Sequence, residues 1–121
     1  MKARTVRTIF LLLTLTVSQT LGVLASTTDE PNVKIERVEA LSYRTFTMTC
    51  DRGEFTELAI IGDGDTDLDL FIYDPEGRLI AADDDDQSKC VVRWTAQSKG
   101  RYTIKVVNLG RVWSRFALVY R

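Results

Sequence analysis

The sequence predicts an all-β domain, a two-sheet antiparallel β-sandwich of jelly-roll-like type with seven to eight short strands. Three observations lead there. Apolar residues alternate with period two through most of the chain beyond residue 34, and glycine- and aspartate-rich turns fill the gaps between these runs. No stretch of the body has helical spacing with caps.

The elements follow in order. Lys2, Arg4 and Arg7 precede a short apolar stretch from Ile9 to Val17, and Val23-Leu24-Ala25 offers small residues at cleavage spacing, so residues 1–25 read as a signal peptide. A membrane anchor is the alternative, but Thr14, Thr16, Ser18, Gln19 and Thr20 interrupt the run well short of about 20 apolar residues. Cleavage after Ala25 removes three positive charges from a chain of formal charge -1 and leaves 96 residues at -4. No membrane span is expected after it. Residues 26–33 are a polar, aperiodic arm, and residues 34–121 form the sandwich.

Within the sandwich, Phe46, Met48 and Cys50 share one parity, as do Leu58 and Ile60. Leu68, Leu70 and Ile72 alternate with Asp67, Asp69 and Phe71. Asp74-Pro75-Glu76-Gly77 then turns the chain into Arg78 to Ala82, with proline fixing φ and glycine accepting a positive one. Further strands carry Cys90, Val92 and Trp94, then Tyr102, Ile104 and Val106, then Phe116, Leu118 and Tyr120. Asp51-Arg52-Gly53, Ser98-Lys99-Gly100 and Asn108-Leu109-Gly110 punctuate between them, and left-handed glycine is the expected reason.

Composition excludes several functions. The chain has 121 residues, 45% hydrophobic and 27% charged, which suits one globular domain. It contains no histidine, so His-based catalytic units, His-ligated zinc and histidine pH switches are absent. Sixteen basic and seventeen acidic residues with no basic stripe argue against a nucleic-acid partner. Paired carboxylates of a glycosidase need a substrate cleft for which this body has little room, so no enzymatic activity is expected.

Cys50 and Cys90, an even pair in an exported chain, predict one disulfide worth about 3–4 kcal/mol, with two buried free thiols as the alternative. Asp63, Asp65, Asp67 and Asp69 alternate, so an extended backbone places their carboxylates on one face opposite Leu68 and Leu70. Crowded carboxylates repel unless screened, and Ca²⁺ accepts such oxygens in flexible geometry. Leu68 at the glycine position and Asp74 at the final position exclude an EF-hand. The second acidic cluster, Asp83, Asp84, Asp85 and Asp86, either assists this cation site or is a solvated loop. Among the aromatics, Trp94 has core parity, whereas Trp113 is the surface candidate for a ligand, with Arg111 and Arg115 to hydrogen-bond or stack beside it.

The run GDGDTDLDLFIYDPEGRLIAADDDD (62–86), followed by VVRWTAQSKGRYTIKVVN (91–108) and SRFALVYR (114–121), resembles the bacterial pre-peptidase C-terminal domain. Its carrying features are Asp67-Leu68-Asp69-Leu70 leading into Tyr73-Asp74-Pro75 and Gly77, then Gly100-Arg101-Tyr102 with Val106, and the closing Phe116 and Leu118. The resemblance spans roughly residues 43–121. That family comprises small β-sandwich modules usually appended to secreted peptidases, including the collagen-binding modules of bacterial collagenases. The resemblance implies a non-catalytic exported module, here as a stand-alone copy. Its expected partner is a secreted or envelope protein; a polysaccharide held by surface aromatics is the alternative.

Overall fold

The structure, a computed structural model, describes residues 30–85 and 87–121. The leader at 1–25, most of the expected arm and Asp86 lie outside the described residues. Eight strands follow one another along Pro31–Arg121: β1 (Asn32–Val38), β2 (Ser42–Cys50), β3 (Phe55–Gly62), β4 (Leu68–Tyr73), β5 (Leu79–Asp83), β6 (Lys89–Thr95), β7 (Gly100–Asn108) and β8 (Ser114–Tyr120). They form two antiparallel four-stranded sheets, ordered β1-β8-β3-β6 and β2-β7-β4-β5. Successive strands alternate between the two sheets except at the β4–β5 hairpin, which is the jelly-roll arrangement.

Alternation decides which side chains enter the core. Leu58 and Ile60 from β3, Leu68, Leu70 and Ile72 from β4, and Phe116 from β8 are at most 1% exposed, each contributing about 1.5–3 kcal/mol of hydrophobic stabilisation. Phe116 meets Phe46 of the opposite sheet edge-on at 6.2 Å, and Trp94 stacks on Tyr102 at 6.3 Å. Trp94 is buried, as its parity predicts.

The β4–β5 hairpin follows its turn chemistry. Gly77 has φ 84°, and the Asp74 carboxylate accepts the backbone N–H groups of Glu76 at 3.0 Å and Arg78 at 2.8 Å. The Arg78 N–H bond foremost, with the Arg78 guanidinium beside it, holds the Asp74 carboxyl below the usual carboxylate range. Gly100 and Gly110 are different from expectation, because neither has positive φ. Their reason is close approach: a Cβ would lie 2.6 Å from the Pro75 ring at Gly100 and 2.7 Å from the Thr66 side chain at Gly110.

Two further expectations are corrected. The arm ends early, since Asn32 pairs with Tyr120 and Val33 with Val119 at the start of β1. Polar residues are tolerated there because β1 is an edge strand whose inward positions, Lys34 and Glu36, stay at the sandwich margin. The Cys50–Cys90 bridge is not formed: both thiols are free and buried. Cys50 Sγ lies 4.0 Å from Thr56 Oγ1, whereas Cys90 pairs with Ile60 and its thiol donates to the Leu68 carbonyl at 3.1 Å. Thr56 and Ile60 are four residues apart on β3, about 13 Å, while a disulfide needs Cα atoms within about 7 Å.

Candidate functional site

Antiparallel pairing gathers four loops at one pole of the sandwich. Val38 pairs with Ser114, Ser42 and Leu68 with Asn108, Leu70 with Asp83, and Ile61 with Lys89. The loops 39–41, 63–67, 84–88 and 109–113 therefore leave the sheets at the same end. Among the described residues, every charged or aromatic candidate from the sequence, except the core Trp94, belongs to this pole or borders it.

Asn108 organises the pole. It is fully buried, and its Nδ2 donates to the Val112 carbonyl at 2.8 Å and the Glu39 carbonyl at 3.2 Å, while its Oδ1 accepts the Gly110 N–H at 2.8 Å. The Leu41 N–H reaches the Gly110 carbonyl at 3.0 Å, and the Leu109 N–H reaches the Asp67 carbonyl at 3.0 Å. Three loops are thus tied through one side chain and its neighbours. In sequence Asn108 has the chemistry of a turn residue, and only its even parity with Ile104 and Val106 signals burial.

On this frame stand four large exposed apolar side chains: Leu41 (69%), Leu109 (51%), Val112 (52%) and Trp113 (47%). Leu41 holds φ at 52°, a left-handed conformation uncommon for a residue with a Cβ. The guanidinium of Arg37 lies 4.2 Å from the Trp113 ring centroid. Arg111 and Arg115 were the expected ring neighbours; the pairing of Arg37 with Arg115 across β1 and β8 brings Arg37 there instead. Of the other aromatics, Trp94 and Tyr102 are buried, and Tyr43 is exposed with the Lys105 ammonium 4.5 Å from its ring.

The structure splits the acidic run. Asp63 turns toward β8, where its carboxylate accepts the Arg115 N–H at 3.3 Å and the Ser114 hydroxyl at 3.4 Å, as well as the Asp65 N–H at 3.2 Å. These bonds, that to Asp65 foremost, keep its carboxyl low. Asp65 is exposed. Asp67 and Asp69 join the second cluster instead, because the pairing of Leu70 with Asp83 carries the acidic end of β5 alongside them.

Asp69 is the anomaly of this cluster. It is only 8% exposed, and its Oδ1 has no hydrogen-bond partner, nor do the buried Asp67 Oδ1 and Thr66 Oγ1. Burial, and then the carboxylates of Asp67, Asp84, Asp85 and Asp83, push the Asp69 carboxyl up to about 6. Burial and the same acidic neighbours raise the Cys90 thiol to about 12, which keeps it protonated and inert. Asp83 is partly committed, its carboxylate accepting the Val91 N–H at 2.8 Å. Among the described residues, no three carboxylates or thiols converge into a group that holds a metal as they stand. Oxygen donors are of the type Ca²⁺ prefers, and three of them are buried without partners.

The sequence profile of the bacterial pre-peptidase C-terminal domain family matches residues 42–108, spanning β2 to β7. The chain belongs to that family. In this pre-peptidase C-terminal domain the matched span includes Asp67 with the β4 strand that follows it, the Asp74–Gly77 turn and Gly100–Tyr102, while Phe116 and Leu118 on β8 lie beyond it. No curated protein matches the chain in sequence. Among solved structures, Aeromonas hydrophila PliG, a periplasmic lysozyme inhibitor of g-type lysozyme, has a similar fold with TM-score 0.55 and 13% identity, covering 75% of this chain and 84% of that one. Among the described residues, no helix is long and apolar enough to cross a membrane.

Proposed function

We propose that this pre-peptidase C-terminal domain is an exported, non-catalytic module that binds a protein through the loop pole. The observation that carries the reading is the set of Leu41, Leu109, Val112 and Trp113 held exposed on loops whose backbone is tied to the buried Asn108. Side chains presented on a pre-ordered backbone lose little conformational entropy on binding, and Trp113 with Arg37 is the residue chemistry of interface hot spots. Export is supported by the leader pattern and by the secreted setting of the family. The fold neighbour acts as an inhibitor of g-type lysozyme, which makes a g-type lysozyme the first protein to try.

Calcium belongs to the same reading. The hard oxygens of Asp67 and Asp69 would hold the ion with help from Asp84 or Asp85, and the charge supplied would neutralise the acidic side of the pole. Asp63 contributes by bracing the loop against β8 rather than as a ligand.

The test is affinity purification from the exported fraction with the immobilised chain and with its Leu109→Ser/Val112→Ser variant. A protein recovered by the native chain and lost with the variant supports the reading. Equal recovery by both removes the pole from it. Glycan-array binding that disappears with Trp113→Ala would transfer the function to a polysaccharide.

A further inference from the structure

The outer face of the β1-β8-β3-β6 sheet has an organisation that neither the loop pole nor the core explains. Cross-strand register aligns Val33, Val119, Ala59 and Val91 in one row across all four strands, and Ile35, Ala117 and Ile61 in the next, ending at Lys89. Val33, Ile35 and Ile61 are 57%, 61% and 45% exposed, so the belt is open to solvent. An outward sheet face in an antiparallel sandwich is ordinarily polar. Contiguous apolar rows on such a face mark an interaction surface.

The relief and the charge specify what fits there. Ala117 and Gly62 between the ridges of Ile35 and Ile61 leave a depression of about 340 Å³, and a second of about 350 Å³ lies beyond Ile61 over Ala59 toward Val91 and Val119. Arg37 and Arg115 bound the belt on one side, and Arg93 and Arg121 on the other, with Lys89 at its β6 end. The opposing carboxylates are Glu39, which pairs with Arg37 at 2.7 Å, Glu57, shared by Arg93 at 2.7 Å and Arg121 at 3.1 Å, and Asp63, which is turned to the β8 backbone. Lys89 and Arg115 enter no ion pair among the described residues. A cationic frame thus surrounds an apolar floor in a chain whose formal charge is negative.

We propose that this sheet face docks a partner protein surface with protruding apolar side chains and an acidic margin. Charge complementarity selects that occupant. A second copy face to face would set one cationic frame against another, with like-charge repulsion at the rim. A bilayer is disfavoured by shape, because the floor of half-buried valines and alanines lies below the long cationic side chains and presents depressions rather than protruding wedges.

The probe is a synthetic amphipathic helical peptide of about 16 residues, with leucines on one face flanked by glutamates, and a counterpart with lysines in place of the glutamates. Binding is followed by amide chemical shifts of the full exported chain. The acidic peptide should shift residues of β1, β8, β3 and β6 and bind at least about tenfold more tightly than the lysine peptide. Raising salt from about 50 to about 500 mM should weaken it severalfold. Ile35→Thr/Ile61→Thr, which keeps strand-forming residues, and Lys89→Glu/Arg115→Glu should each reduce affinity by about tenfold or more, with unchanged circular dichroism. Equal binding of the two peptides, or shifts confined to the loops of the pole, would overturn the proposal. So would sedimentation showing a dimer broken by Ile35→Thr/Ile61→Thr, or binding to phosphatidylcholine vesicles with about one-quarter phosphatidylglycerol that exceeds binding to the acidic peptide. Because the readout is on the sheet, its failure leaves the pole untouched, and failure of the pole leaves the sheet untouched.

Discussion

Replacing Asp69 with asparagine should make the domain more stable at neutral pH, an unusual result for a buried polar residue. In the native protein Asp69 is 8% exposed, its Oδ1 is unpartnered, and its carboxyl titrates near 6 instead of 3.8. The folded state therefore holds this proton more tightly than the unfolded chain. Its contribution is fully present below pH 3.8 and is lost as pH rises through about 6. A rise of this size at about 1.36 kcal/mol per pH unit makes the ionised form cost about 3 kcal/mol at pH 7. Asparagine keeps the shape and cannot ionise. The Asp69→Asn domain should gain about 1–3 kcal/mol at pH 7 in chelator and about nothing at pH 4, since its amide can donate to neighbouring carboxylates. Urea denaturation followed by circular dichroism at several pH values between 4 and 8 measures both. A variant that is less stable than the native chain at pH 7, or whose stability has the same slope with pH, would refute the reasoning. The opposing trend is separable, because Asp63, Asp74 and Glu57, all held low by hydrogen bonds, lose their contributions only as pH falls below the ordinary carboxylate range.

Calcium at about 2 mM should raise the melting temperature by several degrees, equivalent to about 0.7–1.8 kcal/mol for an affinity of about 10⁻³ to 10⁻⁴ M, and Asp67→Asn/Asp69→Asn should abolish the shift. Coincident melts in chelator and in calcium would exclude the ion. Thiol titration should find two reactive cysteines in the unfolded, unreduced protein and none in the native one, because both are buried and the Cys90 thiol is raised to about 12. Finding no thiol after unfolding would restore the bridge. Asn108→Ala should cost about 2–4 kcal/mol in urea denaturation, since it orphans carbonyls of two loops and the Gly110 N–H together. A loss below about 1 kcal/mol would mean the loops are not tied through this side chain.

Sandwich and strand positions were legible because alternation is a local property. Leu68, Leu70 and Ile72 announce the buried face of β4 without reference to any other strand. β1 is hardly legible in the sequence, since its inward residues include Lys34 and Glu36 and only pairing with β8 makes it a strand. The acidic run was read as one face, but its loop portion does not keep strand parity, so Asp63 departs to β8 while Asp69 stays. The cysteines show the same limit from the other side. Even count and export favour a bridge, yet their positions along β3 depend on inter-sheet placement that no single strand encodes. Arg37 over Trp113 likewise exists only through the β1–β8 register.

The central claim is that the pole of loops carrying Leu41, Leu109, Val112 and Trp113 meets another protein. The most direct measurement places a photo-crosslinking amino acid at Val112, exposed on the pole, and separately at Thr47, exposed on the opposite sheet, in the chain expressed in its native host. Illumination should give a discrete adduct with one protein from position 112 and none from position 47. No adduct from 112, or the same adduct from both positions, would contradict the account.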